Sequence, residues 1–398
     1  MVESLLIAFV KGFIALFFHP LFYGFLILSF FLGLKRVKKE RAVFNVRVFD
    51  RHFELLYAIL PGFAAGMLVS LLFLILGFFM SNSFLMLLSI CAFLLSLSLQ
   101  IQAVSPSLVI AFTMIAGYVL EMVNPSNGFL KKLTSGFQET SAESVFFLLS
   151  VLILAEGLLI YFQAKKRTSP RLLKGKRGKL IGAHDVSRLW LLPIFFLVPG
   201  TAVERLNWWP LFTEVGSVSM LCIPFAIGFK QIVRHTVPER AVKEMGKKVI
   251  TLGTVAFLTA VVITFFINSS IFAMVGLWLT IAIRIFIGLK WRLKDRDAPA
   301  YFTNRNNGLM ILGILPYTPA ANMNLKIGEI IHKVNGQRVK SPEEFYQSLQ
   351  LNGAFCKLEV LDEQGEIRFE NRSLFDNEHH ELGLLFVSED LKNGKRVG

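Results

Sequence analysis

The sequence predicts a polytopic α-helical membrane protein, with about 8–10 transmembrane helices, that ends in a small α+β domain. Two observations carry this. Of its 398 residues 54% are hydrophobic, 39 of them Phe, far above the apolar content of an ordinary globular domain. From about Tyr301 the composition shifts to that of a soluble domain.

A helix needs about 20 mostly apolar residues to cross the hydrocarbon. On that rule nine spans are expected, near 13–34, 55–80, 84–101, 107–123, 145–163, 189–205, 211–229, 249–267 and 270–289. Short polar breaks such as Ser81-Asn82-Ser83 and Asn268-Ser269-Ser270, and "LNWWP" at 206–210, imply tight hairpins between them. His19-Pro20 interrupts the first span, and Pro193, Pro199 and Gly200 lie in the sixth, so a broken first hairpin or a re-entrant sixth segment would move the count by one. No cleavable signal peptide is expected, because the first apolar stretch runs on to Leu34 without a small-residue cleavage site. Cys91, Cys222 and Cys356 are too few and too scattered for a disulfide framework.

The net charge of +14 is gathered between spans. Segment 35–52 carries seven Lys or Arg against two acids, 164–188 carries nine against Asp185 alone, and 230–248 carries six against two. With nine spans these segments, and "KWRLKDRD" at 290–297, share one face, which the positive-inside rule makes cytoplasmic. Because the charge follows the membrane boundary, no nucleic-acid partner is expected. The bias fixes topology; the densest stretch, with Lys165, Lys166, Arg167, Arg171, Lys174, Lys176 and Arg177, also suits anionic membrane lipid or an acidic partner.

In the C-terminal domain, 308–316 reads as a strand after a glycine turn, and 329–339 as two short strands around Asn335-Gly336. Ser341-Pro342-Glu343-Glu344 then signals a helix over about 342–351, and 356–370 alternates as a hairpin around Gln364-Gly365. The pattern Gly308-Leu309, Pro316, Pro319-Ala320, Leu325, Gly328-Glu329-Ile330-Ile331, Val334-Asn335-Gly336 and Val339 resembles the permuted, bacterial type of PDZ domain. Tyr317-Thr318, Asn324 and Glu329 depart from that type's usual small pair, glycine and aspartate.

A PDZ domain takes an extended peptide as an added strand beside one of its edges. The resemblance implies an edge at Leu309 to Leu315, with Asn307, Gly308, Leu309, Met310 and Ile311 lining the groove, and Glu344 and Ser348 on the opposing helix. Gly308 is expected to let the ligand backbone approach, so that a bulky replacement blocks capture while leaving the fold intact. The carboxylate loop is expected at Asn306-Asn307-Gly308-Leu309; "ELGLLF" at 381–386 is a rival, whose plainer reading, a closing strand, is favoured.

Catalytic and metal chemistry find no footing. His379-His380-Glu381-Leu382 lacks the second histidine of a metalloprotease helix, since Leu384 stands at that spacing. Glu156 and Arg284 fall inside spans, where an ionisable group is by default a candidate for ion or substrate passage. The plainer readings are that Arg284 snorkels to the cytoplasmic face, and that Glu156 is protonated or bonded to a neighbouring helix. An adaptor needs no titrating group there, so Glu156→Gln is expected to leave function largely intact.

The order of spans, basic loops and terminal PDZ domain, together with "FFHPLFYGFLILSFFLGLKRVKKERAVF" at 17–44, resembles the MinJ-like family of division-topology membrane proteins. That resemblance implies a multi-spanning domain over 1–290, a linker over 291–300, a PDZ domain over 301–388 and a polar tail over 389–398. It further implies a non-enzymatic adaptor without cofactors, in the cell membrane at septum and poles. There the PDZ groove would hold a peptide segment or C-terminus, and the chain would bridge division proteins of the DivIVA and MinD type. A transporter or membrane sensor with a regulatory PDZ domain, or an accessory subunit of a membrane protease, are the alternatives.

Overall fold

The computed structural model describes residues 2–50, 53–165, 167–176, 178–204, 209, 212, 217–305, 307–352, 355–374 and 382–387. Lys166, Arg177, Glu381, most of the "LNWWP" stretch and the 389–398 tail lie outside them.

The membrane region opens with α1 (Val2–Phe18) and α2 (Pro20–Phe44), so the first predicted span is two helices. His19 is extended, its ring nitrogen accepts the Leu21 N–H at 3.3 Å, and Pro20 starts α2 at the position where a missing N–H costs nothing. Then come α3 (Phe53–Leu76), α4 (Asn82–Leu97), α5 (Pro106–Val123), the short amphipathic α6 (Gly128–Gln138) and α7 (Ala142–Leu159). After a stretch of β-structure, α8 (Pro238–Val262) and α9 (Ser270–Asp297) complete the region. Among the described residues six helical stretches are long and apolar enough to cross a membrane: 20–44, 59–76, 106–123, 142–164, 238–267 and 270–297. α7 lies at the centre, with side chains buried on nearly all sides. Around it Leu60, Leu68, Met122, Phe266 and Ile271 point outward, as lipid-facing residues must. Residues 291–297, expected as linker, continue α9 and bury Trp291 and Asp295.

The sixth and seventh predicted spans are not helices. They belong to two long antiparallel strands, β2 (Leu180–Glu204) and β3 (Ser217–Val233), paired from His184 opposite Val233 to Val198 opposite Ser219. Pro193, Pro199 and Pro224 would each break a helix. In the ribbon Pro193 lies opposite Pro224. Over 189–198 and 222–229 the two strands are buried on nearly all sides, so each middle part is a continuous apolar run that periodicity cannot distinguish from a buried helix.

An open ribbon survives in hydrocarbon only where protein satisfies its edges. α3 covers β2 so closely that a Cβ on Gly62 would lie 2.4 Å from the Leu191 carbonyl oxygen, and one on Gly66 2.6 Å from that of Pro193. Ser70 Oγ accepts the Phe195 N–H at 2.9 Å and directs its own proton at the Gly66 and Pro193 carbonyls, at 2.7 and 3.2 Å. Further along, Met80 N–H donates to Leu197 O at 2.9 Å. The opposite edge meets a 3-10 turn, Ile101–Val104, whose Gln102 amide donates to Lys230 O at 2.7 Å.

The basic stretch expected as a loop over 164–188 is also largely strand. β1 (Ser169–Lys174) pairs with the start of β2, Ser169 opposite Asp185 and Lys174 opposite Leu180.

The C-terminal part is a sheet ordered β8-β7-β5-β4-β9, with the two-residue β6 paired to β5. Its strands are β4 (Leu309–Ile314), β5 (Ile330–Val334), β6 (Gln337–Arg338), β7 (Phe355–Leu361), β8 (Ile367–Ser373) and β9 (Leu384–Phe386). One helix, α10 (Pro342–Gln350), packs on it. Asn335 and Gly336 take φ of 49° and 84°, the left-handed pair that a two-residue hairpin turn demands. The core holds Leu309, Ile311, Leu325, Val334, Phe345 and Leu349.

Met310, Leu312 and Ile330 face the other way and pack with Phe44, Phe302 and Val387 against the membrane region. Tyr301 N–H donates to Arg234 O and Gly182 N–H to Phe302 O, both at 2.8 Å. The end of α2, the paired β1 and start of β2, the end of β3 and the start of α8 therefore meet the C-terminal part at one end of the molecule. All three basic segments are there.

Candidate functional site

The strand expected to offer a free edge has neighbours on both sides. β4 pairs with β5 through Leu309 and Met310, and with β9 through Ile311, Gly313 and Ile314. Its side chains alternate between two apolar environments, Leu309 and Ile311 into the sheet's own core and Met310 and Leu312 toward the membrane region. Burial on both faces explains the continuous run "LMIL". Gly308 is fixed by the fold and not by a ligand: its φ is 145°, and a Cβ there would lie 2.2 Å from the Ile331 carbonyl oxygen. Asn307 is exposed, and its carbonyl lies 2.8 Å from His332 Nδ1.

Glu344 and Ser348 serve α10 itself. The Glu344 carboxylate accepts the Lys340 N–H at 2.7 Å while its own N–H donates to Ser341 Oγ at 3.2 Å, a reciprocal cap. Ser348 is buried against the β5–β6 turn, where its hydroxyl donates to Gln337 at 3.1 Å and its carbonyl accepts from the Asn335 amide at 3.0 Å.

The sheet ends instead at β9, within the stretch given the plainer reading. Leu382 and Gly383 lead into it. Gly383 has φ of 87°, and a Cβ there would lie 2.1 Å from Thr318 Oγ1, so only glycine fits the turn. The Leu382 and Gly383 carbonyls accept from Ala320 and Leu315, at 2.9 and 2.8 Å. α10 packs alongside, with the Phe345 and Phe386 rings 5.1 Å apart and Tyr346 half-buried against the same cluster. A glycine turn, a strand edge without a partner among the described residues and an apolar helix wall can take an extended peptide. The signal was the glycine between apolar residues of "ELGLLF".

On the membrane side, the basic stretch is tied to its surroundings. Lys165 pairs with Glu239 at 3.6 Å, Lys176 with Asp297 at 3.5 Å, and Arg171 with the buried Asp185. The Arg167 guanidinium lies 4.7 Å from the centre of the Tyr57 ring, and Lys174 ends β1 exposed. Between α2 and the ribbon a cleft is lined by Lys35, Arg36, Lys39, Arg171, Arg188 and Lys230. Lys166 and Arg177 are not among the described residues.

The two ionisable groups within the spans meet. Arg284 of α9 reaches Glu156 of α7 by two hydrogen bonds, at 2.5 and 3.1 Å. Glu156 is thus bonded to a neighbouring helix, as one of its plainer readings had it, and Arg284 does not snorkel.

No protein-family profile and no solved structure matches the chain. Curated proteins do. The sequence is 39% identical over 378 residues to the cell division topological determinant MinJ of Bacillus subtilis (strain 168), covering 94% of each chain. It is 24% identical over 261 residues to a probable cell division topological determinant MinJ of Lacticaseibacillus paracasei, covering 63% of this chain and 68% of that one. A protein of the same description from Lacticaseibacillus casei (strain BD-II) matches to the same extent. The length and level of the first likeness place this chain in the family of the cell division topological determinant MinJ.

Proposed function

We propose that this protein is a non-enzymatic membrane adaptor in division-site selection, which presents a PDZ-type domain to the cytoplasm and recruits division proteins to septum and poles. The 39% identity to the Bacillus subtilis determinant over 94% of both chains carries the reading. The apolar helices supply the anchor. The gathering of the basic segments beside the C-terminal sheet supports a cytoplasmic position for that sheet, since the positive-inside rule assigns basic segments to that face. The peptide groove is the one between β9 and α10, and it takes an internal segment or a C-terminus of a partner. Partners of the DivIVA and MinD type fit such an adaptor, one recruiting it to the division site and the other recruited by it.

The test uses the full chain fused to a fluorescent protein in dividing cells. Enrichment at septa and poles is expected, and an even membrane signal would count against the adaptor. A second fusion, of a reporter active only outside the cytoplasm, should be silent when placed after Gly398.

A further inference from the structure

A second cavity, of about 680 Å³, opens between the 3-10 turn before α5, the end of β3, and the C-terminal half of α9. Gln231 and Trp291 line it, and each is at least 95% buried. Neither the amide oxygen nor the amide nitrogen of Gln231 has a hydrogen-bond partner among the described residues, and neither does the Trp291 indole N–H. Buried polar groups are nearly always bonded. Two such side chains on one cavity wall call for a ligand with acceptors for three N–H groups and a donor for one carbonyl.

Charge narrows the class. Lys230, Arg234, Arg284, Arg292 and Arg296 line the cavity against Asp295 alone. Asp295 is engaged by His235 at 2.7 Å and Arg234 at 3.8 Å, Arg284 by Glu156, and Arg296 by Asp297 at 3.7 Å. Arg292 bonds the neutral Gln102 amide oxygen at 2.5 Å, so its charge is not cancelled there. Lys230 has no ion pair among the described residues. The rest of the wall mixes the polar Gln100, Gln102, Ser105 and Ser107 with apolar residues, among them Leu108, Phe229, Ile285 and Leu289, and Ile285 and Leu289 also face outward from α9.

We infer that this cavity binds an anionic phospholipid whose head carries a free hydroxyl. The phosphate oxygens accept from Lys230, Arg292, the Gln231 amide and the Trp291 indole; the head-group hydroxyl donates to the Gln231 carbonyl. The acyl chains leave along Ile285 and Leu289 into the bilayer.

The full-length protein is reconstituted in nanodiscs of equal phosphatidylglycerol and phosphatidylcholine, re-extracted in mild detergent, and its retained lipid weighed by native mass spectrometry. Phosphatidylglycerol should be retained about tenfold over phosphatidylcholine, the factor that one charged hydrogen bond of about 1.4 kcal/mol supplies. Lys230→Gln and Gln231→Leu should each erase most of that preference, while the exposed Lys176→Ala leaves it unchanged. Size-exclusion and thermal unfolding profiles identify a variant that does not fold, and the remaining one then carries the test. Equal retention of the two lipids overturns the proposal. So does an equal loss in Lys176→Ala and Lys230→Gln, which means diffuse surface charge. Displacement of the lipid by an equal concentration of inorganic phosphate likewise overturns it, because a free anion is then the ligand.

Discussion

Arg284 closes on Glu156 from the neighbouring helix, Nε 3.1 Å from one carboxylate oxygen, and Glu156 is fully buried. The pair joins α7 to α9 at the depth where either charge alone would be expensive. A transport role needs one of these groups to bind or release an ion; here each is held by the other.

Glu156→Gln is therefore expected to act on stability, a cost that the expectation of largely intact function did not address. Removing one member strands the other, at about 3 kcal/mol for a buried pair. The double change Glu156→Gln with Arg284→Gln should recover most of that loss, because a neutral pair in one place is nearly as stable as an ionic one. Thermal unfolding of the detergent-solubilised protein reads both. A double variant no more stable than the single one would mean that the ion pair is not what holds these helices.

Acidification should loosen the junction between the membrane region and the C-terminal sheet. His184 is fully buried there, with Nδ1 2.8 Å from Thr168 Oγ1 and its ring 5.0 Å from Phe302. Burial lowers its pKa to about 3. An unfolded histidine titrates near 6.5. Between the two values the unfolded chain binds a proton that the folded one does not. The stabilising contribution is thus complete above pH ~6.5 and lost as pH falls toward 3, about 1.4 kcal/mol of it by pH 5.5. The hydrogen-exchange protection factor at Met310 to Leu312, taken against the intrinsic exchange rate at each pH, should fall over that range in the parent and much less in His184→Asn. A parent protein indifferent to pH between 7.5 and 5 would contradict this.

The β2–β3 ribbon should depend on the helix that covers it. Gly62→Val and Gly66→Val each place atoms where the Leu191 and Pro193 backbone runs, and that backbone cannot give way without breaking the ribbon's ladder. Either change should cost more than 2 kcal/mol on the scale of core overpacking. Gly128→Ala, where a Cβ meets nothing within 4 Å, is the control. The measurement is yield of folded protein by size exclusion, and equal yields from all three would mean that α3 does not seal the ribbon.

What could be read from the sequence was what neighbouring residues decide. Asn335-Gly336, the Ser341 cap and the alternation of β7 and β8 each carry their own structure, and the C-terminal hairpins and helix are where local chemistry puts them. The ribbon was missed because a strand buried on both faces shows no alternation, although Pro193, Pro199 and Pro224 spoke against helices. The edge expected to be free at Leu309 to Leu315 is covered because sheet neighbours are set at long range: β9 reaches β4 across some 70 residues of chain. The polar cavity has no linear signature at all, since Gln231 and Trp291 come from different elements.

The proposed groove predicts which face of α10 recruits partners. Tyr346 is half-buried on the apolar cluster shared with Phe386 of β9, while Gln347, the next residue, is exposed. Tyr346→Asp puts a carboxylate on the wall an incoming strand must touch, and an acidic wall repels a peptide's own C-terminal carboxylate as well as its apolar side chains. Gln347→Asp adds the same charge one step around the helix, away from that wall. In full-length protein carrying an affinity tag, Tyr346→Asp should lower co-purification of division proteins about tenfold, the effect of roughly 1.4 kcal/mol, and Gln347→Asp should not. Both variants must first give the parent's size-exclusion profile, since Tyr346 also touches the core. Equal losses from the two would point to net charge, and no loss from either would shift recruitment from the β9–α10 groove to the basic face or the spans.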